Sequence, residues 1–362
     1  MTADLLARST PILDDVTRRE LIIGGAAALV LGACGANRGT DGDRARRESP
    51  TTDDPAPQGW SFTDDLGVTV NLDGRPRRVV AQVSAAATLF DYGIVPVGVF
   101  GPTRREDGSA ENAAGRLGEL DGLGSVGSAF GELNVEKLAS LRPDLIVTVT
   151  YEPGLADARF DPYWYVPGEV QDEVEAIAPI VAIGIVDDPV DHTVSRFAAL
   201  ASALGADLRS ESNAGARGRF EQATADLRAA IAAKPGLTAV FVSGYSENLF
   251  VANPDVAVDV AWFRELGLDV PDLEVAEGDF WETLSWEQAG RHPADVVFND
   301  IRGQALTVEQ MSAEQPAFAN LPAVVAGQVG RWHFESPYSY RAMAAVLADL
   351  ASTVRAADPA IA

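Results

Sequence analysis

Beyond about residue 60 the chain alternates short β-branched runs with longer stretches of helical character. Runs at 78–81, 95–100, 145–150 and 180–185 come first, and the same rhythm resumes at 238–242, 296–299 and 329–333. Short strands separated by helices predict α/β layers with mostly parallel sheets. Between the two sets lies 211–234, which has no strand character and ends at Pro235-Gly236. Within it Phe220, Ala223, Leu227 and Ile231 recur at helical spacing, while Glu221, Asp226 and Arg228 fall off that stripe. This predicts one long helix connecting two lobes; a surface helix inside a single domain would share the pattern.

An internal repeat favours two lobes. Residues 134–147 align without gaps on 285–298, so that Glu136 matches Glu287, 151 residues later. Each copy opens on an N-cap residue (Asn134 or Ser285), continues as a short helix, and turns through Asp144 or Asp295 into an apolar strand. The expected architecture is two Rossmann-like lobes related by a pseudo-twofold, with a ligand cleft between them. Glu136 and Glu287 fall in the first turn of equivalent helices. Taken alone, an acid there complements the helix dipole, worth about 0.3–1 kcal/mol when exposed.

The first 59 residues have a different character. Arg18 and Arg19 precede an apolar stretch at 23–33, too short for the ~20 residues a spanning helix needs. A charged region followed by a short apolar one reads as an export signal, and the arginine pair gives it the twin-arginine type. The stretch ends Leu31-Gly32-Ala33-Cys34, resembling a lipobox with Cys34 as the acylated residue. The residues before Thr17 are long and partly acidic for such a leader, which places the expected start codon downstream of Met1. Cys34 is the only cysteine, so no internal disulfide is expected. From Gly35 to Gly59 there is no Ile, Leu, Val, Met, Phe, Tyr or Trp. That composition predicts a disordered tether with a reach of about 25–30 Å. The expected division is thus an export signal at 1–33, a tether at 34–59, an N-terminal lobe at 60–205, a connecting helix at 206–235 and a C-terminal lobe at 236–362.

Hydrophobic content of 47% suits a globular body, and a net charge of −25 argues against nucleic-acid or anionic-lipid surfaces. Four pieces of the chain, 63–70, 134–147, 285–299 and 321–329, resemble the iron-siderophore and cobalamin type of periplasmic solute-binding protein, the class whose lobes one rigid helix joins. With the signal and lipobox, the resemblance spans essentially the whole mature chain. It implies a lipoprotein on the extracytoplasmic face of the cell membrane, serving an ABC importer and binding a ferric siderophore, with no cofactor. Cobalamin, haem or a bare metal ion are the alternative cargoes. In that family a Glu at each lobe tip contacts arginines of the permease dimer, and Glu136 and Glu287 fall on those positions.

The family's pockets are lined by aromatic residues and arginine from loops after strands. Here those loops hold Arg104 and Arg105, then Tyr151, Trp164 and Tyr165, then Tyr245; Phe280 and Trp281 precede the second repeat copy and Arg302 follows it. Aromatic faces suit a chelate's organic shell, and guanidinium suits an oxygen-rich, often anionic iron centre. Residues 161–167 (Asp161 through Pro167) form the densest aromatic cluster.

Other chemistries find little support. His192, His292 and His333 are widely separated, whereas a zinc or manganese site ordinarily groups two or three His with carboxylates. Residues 122–127 spell G-x-G-x-x-G but read as a loop, without a preceding strand or an immediately following helix. There is no G-x-x-x-x-G-K-[ST] and no G-x-S-x-G elbow. No catalytic residue is expected; a lipid-anchored α/β hydrolase is the reading from another class.

Overall fold

The computed structural model describes residues 59–362 apart from 120–121, 152–161, 187–188 and 277. Arg18, Arg19, Cys34, the export signal, nearly all of the tether, and Asp161 lie outside the described residues. The first element is a hairpin, β1 (Trp60–Thr63) paired with β2 (Thr69–Leu72). Its turn is fastened by buried Asp64, whose carboxylate accepts from the amides of Leu66, Val68 and Ala182.

The first lobe is a five-stranded parallel sheet of β3 (Val79–Gln82), β4 (Gly98–Phe100), β5 (Gly124–Gly127), β6 (Leu145–Thr150) and β7 (Ile180–Gly184), in the order β5-β4-β3-β6-β7. All six residues of β6 are buried, as expected for a parallel strand covered on both faces. Helices α1 (Val83–Asp91), α2 (Val135–Leu141), α3 (Gln171–Ile177) and α4 (Val190–Ala203) provide the cover. Two sequence readings are corrected here. The glycine-rich 122–127 is not all loop, because Gly124–Gly127 forms edge strand β5. A Cβ at Gly124 would lie 3.2 Å from the Val97 carbonyl and 3.4 Å from the Leu141 side chain, a tight fit that favours glycine despite its poor strand propensity. Strand β4 begins only at Gly98, past Pro96, which has no N–H to donate to a ladder.

Next comes α5 (Glu211–Ala232), opened by Ser210, whose side chain accepts from the Asn213 amide. Twenty-two residues at 1.5 Å each give a rod of about 33 Å. Phe220, Ala223, Leu227 and Ile231 are all buried, so the apolar stripe is the packed face. The second lobe contains β8 (Ala239–Gly244), β9 (Asn248–Ala252), α6 (Val258–Glu265), β10 (Trp281–Ser285), β11 (Val296–Asp300), α7 (Val308–Glu314), α8 (Pro316–Ala319), α9 (Pro322–Val325), β12 (Val329–Trp332) and α10 (Tyr340–Ala356). Its sheet order is β10-β9-β8-β11-β12. Strands β8, β11 and β12 are parallel, whereas β8, β9 and β10 form an antiparallel meander.

The lobes share one apolar core. It runs from Val147 and Phe197 through Phe220 and Leu347 to Phe241 and Phe298 without interruption. Phe220 stacks on Trp262 with centroids 5.9 Å apart and meets Tyr340 at 5.5 Å. Helix α10 packs along α5 and begins against the other lobe: the Tyr338 amide donates to Thr88 Oγ1 at 2.8 Å, and the Ser339 hydroxyl to Asp91 at 2.5 Å. A second helix therefore braces the first, which the sequence pattern did not anticipate.

In the first turn of α6, half-buried Asp259 accepts from Trp332 Nε1 at 2.6 Å and from the Val260 amide at 2.9 Å. Burial raises this carboxyl from its ordinary 3.8 to about 6, against the pull of those donors and with a contribution from Asp300. A folded-state value above the unfolded one means the group burdens stability above about pH 6 and ceases to do so below about pH 4. The stability of wild type relative to Asp259→Asn should therefore rise by up to about 3 kcal/mol between pH 7 and pH 4. Urea unfolding of both proteins across that range measures the slope; a difference independent of pH would show that Asp259 titrates normally.

Candidate functional site

In open α/β sheets, ligands bind beyond the carboxyl ends of the strands. Here five such ends, those of β4, β6, β8, β11 and β12, supply side chains to one region between the lobes.

The first lobe brings aromatic surface. Tyr151 follows β6, and the chain returns to that strand at 162–167, where the Trp164 amide donates to the Val149 carbonyl and Thr148 Oγ1 to the Trp164 carbonyl. Trp164 packs against Tyr151 at 4.5 Å and Tyr165 at 5.8 Å. Phe130 lies 4.8 Å from Trp164 and 5.1 Å from Tyr165, yet is 51% exposed. Tyr165 is held at φ +69°, a left-handed backbone that a bulky residue seldom adopts. Gly101 lies beneath it, and a Cβ at that position would come within 3.3 Å of the Tyr165 ring. The Trp164 indole N–H is buried and has no acceptor among the described residues.

The second lobe brings charge as well as rings. Tyr245 follows β8 and meets Phe250 edge-on at 5.5 Å. Trp281 opens β10 and packs on Phe280, Phe334 and Trp332 at 4.8, 5.6 and 5.7 Å. Arg302 follows β11. Its Nε and Nη2 donate to Asp300 at 2.9 and 2.8 Å, its Nη1 stands 3.2 Å from Glu335, and its guanidinium lies 4.2 Å from the Phe334 ring centroid. Burial disfavours the Arg302 charge, but Asp300 and Glu335 outweigh that and hold the guanidinium protonated far above its ordinary range. Asp300 is itself fixed by the Ser243 hydroxyl at 2.7 Å.

The lobes touch through these groups. Tyr151 donates its hydroxyl to Glu335 at 3.0 Å and its ring faces Phe280 at 6.1 Å. Burial, reinforced by Glu335, keeps the Tyr151 phenol protonated, and burial does the same for Tyr165 and Tyr245. On one side of the cleft Arg105 Nη2 donates to the Ile301 carbonyl at 2.5 Å, and buried Glu111 accepts from the Gly303 amide at 3.1 Å. Asn112 donates to the Phe334 carbonyl at 2.9 Å.

Of the residues singled out from sequence, Tyr151, Trp164, Tyr165, Tyr245, Trp281 and Arg302 lie together in this region. Arg105 lies there too, but bonds to the opposite lobe. Arg104 is exposed on the 101–111 loop, with Nη1 on the Gly108 carbonyl at 3.0 Å. Sequence reasoning missed Phe130, Glu111, Asp300, Phe334 and Glu335. The last two immediately follow a strand that had been recognised, so applying the strand-end rule to β12 would have found them.

Glu136 and Glu287 lie elsewhere, both exposed. Glu136 is in the first turn of α2, after β5, and Glu287 in a one-turn 3-10 helix (Trp286–Gln288) after β10. Strands β5 and β10 are corresponding outer edges of the two sheets. Its own amide and the Ser285 hydroxyl hold the Glu287 carboxyl below its ordinary value. A separate cavity of about 260 Å³ in the second lobe is lined by Val240, Leu249, Phe318, Leu321 and Ala362. It is built on the opposite sheet face from Phe241 and Phe298 and has a mainly apolar wall. Among the described residues no three His, Cys, Asp or Glu cluster as a metal site would require.

Comparison with known proteins agrees with this geometry. The periplasmic binding protein family profile matches residues 81–335, and the chain belongs to that family. A solved structure of DesE, a ferric-siderophore receptor protein from Streptomyces coelicolor, is 36% identical, with a TM-score of 0.76 over 83% of this chain and 99% of that one. The siderophore periplasmic binding protein of the fuscachelin gene cluster of Thermobifida fusca is 24% identical, with a TM-score of 0.54 over 78% and 97%, and shares the fold. Among curated proteins, YhfQ of Bacillus subtilis strain 168, named as an ABC transporter substrate-binding lipoprotein, is 31% identical over 154 residues. That match spans 42% of this chain and only 41% of YhfQ.

The inter-lobe bond at Gly303 is directly measurable. Glu111→Ala removes the acceptor of the Gly303 amide, so hydrogen exchange there should quicken by about tenfold or more, while Glu111→Gln keeps an acceptor and most of the protection. Unchanged exchange in the alanine variant would show that the bond does not hold the lobes together.

Proposed function

We propose that this chain is the solute-binding lipoprotein of an ABC importer, and that it captures a ferric siderophore between its lobes and delivers it to a permease. The observation that carries this reading is the make-up of the cleft: Tyr151, Trp164, Tyr165, Tyr245 and Arg302 converge beside the carboxyl ends of strands from both lobes, and Trp281, at the start of β10, packs against Phe334 beneath Arg302. Such walls suit a chelate's organic shell, whereas a bare cation needs clustered ligands. Family membership and likeness to a ferric-siderophore receptor support the same cargo. The protein contributes no bond-breaking step in this role. It recognises the chelate through preformed contacts, and ATP hydrolysis belongs to other subunits.

The anchoring part of the proposal places lipid on Cys34 after export directed by Arg18 and Arg19, with residues 35–59 as the tether on the extracytoplasmic face. The docking part assigns Glu136 and Glu287 to the permease dimer. It is supported by their exposure and by their equivalent places after the outer edge strands.

Two experiments test this. Trp164 and Trp281 should report the chelate, so titration with a panel of ferric siderophores should quench intrinsic fluorescence saturably, while ferric, zinc or manganese salts should not. Saturable binding of a bare cation beside silence from every chelate would replace the siderophore reading with a metal importer. For docking, the Glu136→Arg, Glu287→Arg double variant should keep wild-type siderophore affinity while cellular uptake of labelled iron falls by about tenfold or more. The reason is that like charges across an interface cost several kcal/mol. Normal uptake by that variant would reduce both carboxylates to helix-end residues.

A further inference from the structure

The cleft's charge is organised in a way that bears on which ferric chelates fit. Arg302 is the cation at its centre, and its side chain is only 10% exposed. None of its nitrogens is left over: Nε and Nη2 are on Asp300, Nη1 faces Glu335, and the flat face covers Phe334. One positive charge thus meets two carboxylates, both almost fully buried. The neighbouring Arg105 is paired less completely: Nη2 donates to the Ile301 carbonyl, while Nε stands 3.9 Å from Glu111 and has no hydrogen-bond acceptor among the described residues. Counting Arg105, Arg302, Glu111, Asp300 and Glu335, acids exceed bases. The loop carrying Arg104 and Arg105 also carries Glu106 and Asp107, and adds no net positive charge.

Glu335 is not placed there by default. Its backbone has φ +55°, a left-handed conformation in which glycine or asparagine would be cheaper. The local strain holds the carboxylate where it accepts from Tyr151 of one lobe and faces Arg302 of the other. Ferric iron bound by three catecholates is triply negative, while three hydroxamates make a neutral chelate, and an ammonium on the same backbone makes it positive. A triply negative ligand entering this cleft would meet, among the described residues, a local excess of negative charge and no cation without a carboxylate or carbonyl partner of its own.

We propose that Glu335, with Asp300, sets a charge filter, so that the cleft takes neutral or cationic ferric chelates of the hydroxamate class and rejects anionic tricatecholates. This rests on the siderophore reading above. Glu335 is a specificity-determining residue in this proposal, beyond its packing role.

The test is a charge series on the full chain at low ionic strength: a linear ferric trihydroxamate bearing a free ammonium, its N-acetylated neutral counterpart, and a hexadentate ferric tricatecholate. The two trihydroxamates should bind about 100-fold or more tighter than the tricatecholate. In Glu335→Gln, which keeps the shape and an acceptor for Tyr151, that preference should shrink by about tenfold, with the ammonium-bearing chelate weakened and the tricatecholate strengthened. A variant that loses affinity for all three equally would show Glu335 to be structural only and overturn the filter. So would tricatecholate binding as tight as trihydroxamate in the wild type, a result that needs no variant and leaves the siderophore reading intact. Failure of all three chelates to bind would sink both readings together.

Discussion

The structure depends on an apolar core that does not stop at the lobe boundary, beside which each lobe keeps a smaller cluster of its own. In a protein whose lobes met only at their rims, the cleft could open and close widely and its lining could be solvated in the open form. Here Phe197, Phe220, Trp262 and Tyr340 tie both sheets to the same pair of helices, α5 and α10. Interiors packed at crystal density resist continuous deformation. Helix α10 adds polar fastenings to α1 through Ser339 and Tyr338. Large relative motion would break these contacts together, so the cleft must be nearly preformed.

A preformed cleft has a consequence for its polar groups. Buried charges without partners cost several kcal/mol, so each one must be satisfied by the protein itself. Arg302 shows how: its bidentate bond to Asp300 is fixed by Ser243, and Glu335 closes the remaining side. The tyrosines serve the same end. Their phenols stay protonated because burial disfavours phenolate, and Tyr151 thereby donates to Glu335 across the lobes. Rigidity and self-satisfaction are therefore two sides of one constraint, and together they give the cleft a charge of its own.

Much of this was legible in the sequence, though not uniformly. Strands β6, β7, β8 and β11 announce themselves because both faces are buried or nearly so, which leaves near-continuous apolar runs. Strand β5 was lost because Gly124 answers to a neighbour's backbone and not to strand propensity. Strands β9 and β10 were missed for another reason: they belong to an antiparallel meander, where alternation over five residues hardly rises above its surroundings. The aromatic residues of the site were visible as residue types on loops after strands. Asp300 and Glu111 were not, since nothing in a local pattern distinguishes an acid that partners an arginine from one that faces water. Glu335 required knowing its left-handed turn, which only coordinates supply.

The repeat raises a last point about how two similar lobes come to differ. Corresponding edges of the two sheets are β5 and β10, and corresponding helices begin at Asn134 and Ser285. Yet β5 belongs to a wholly parallel sheet, whereas β10 is reached through the antiparallel meander that begins at Tyr245. That meander brings Phe280 and Trp281 beside Trp332 and Phe334, so the second lobe supports its arginine on aromatic rings as well as carboxylates. The first lobe, lacking it, presents rings alone around Trp164. Symmetry is thus kept at the outer edges, where the proposed docking acids Glu136 and Glu287 occupy equivalent places. It is abandoned at the centre, where the two lobes supply different side chains to the cleft.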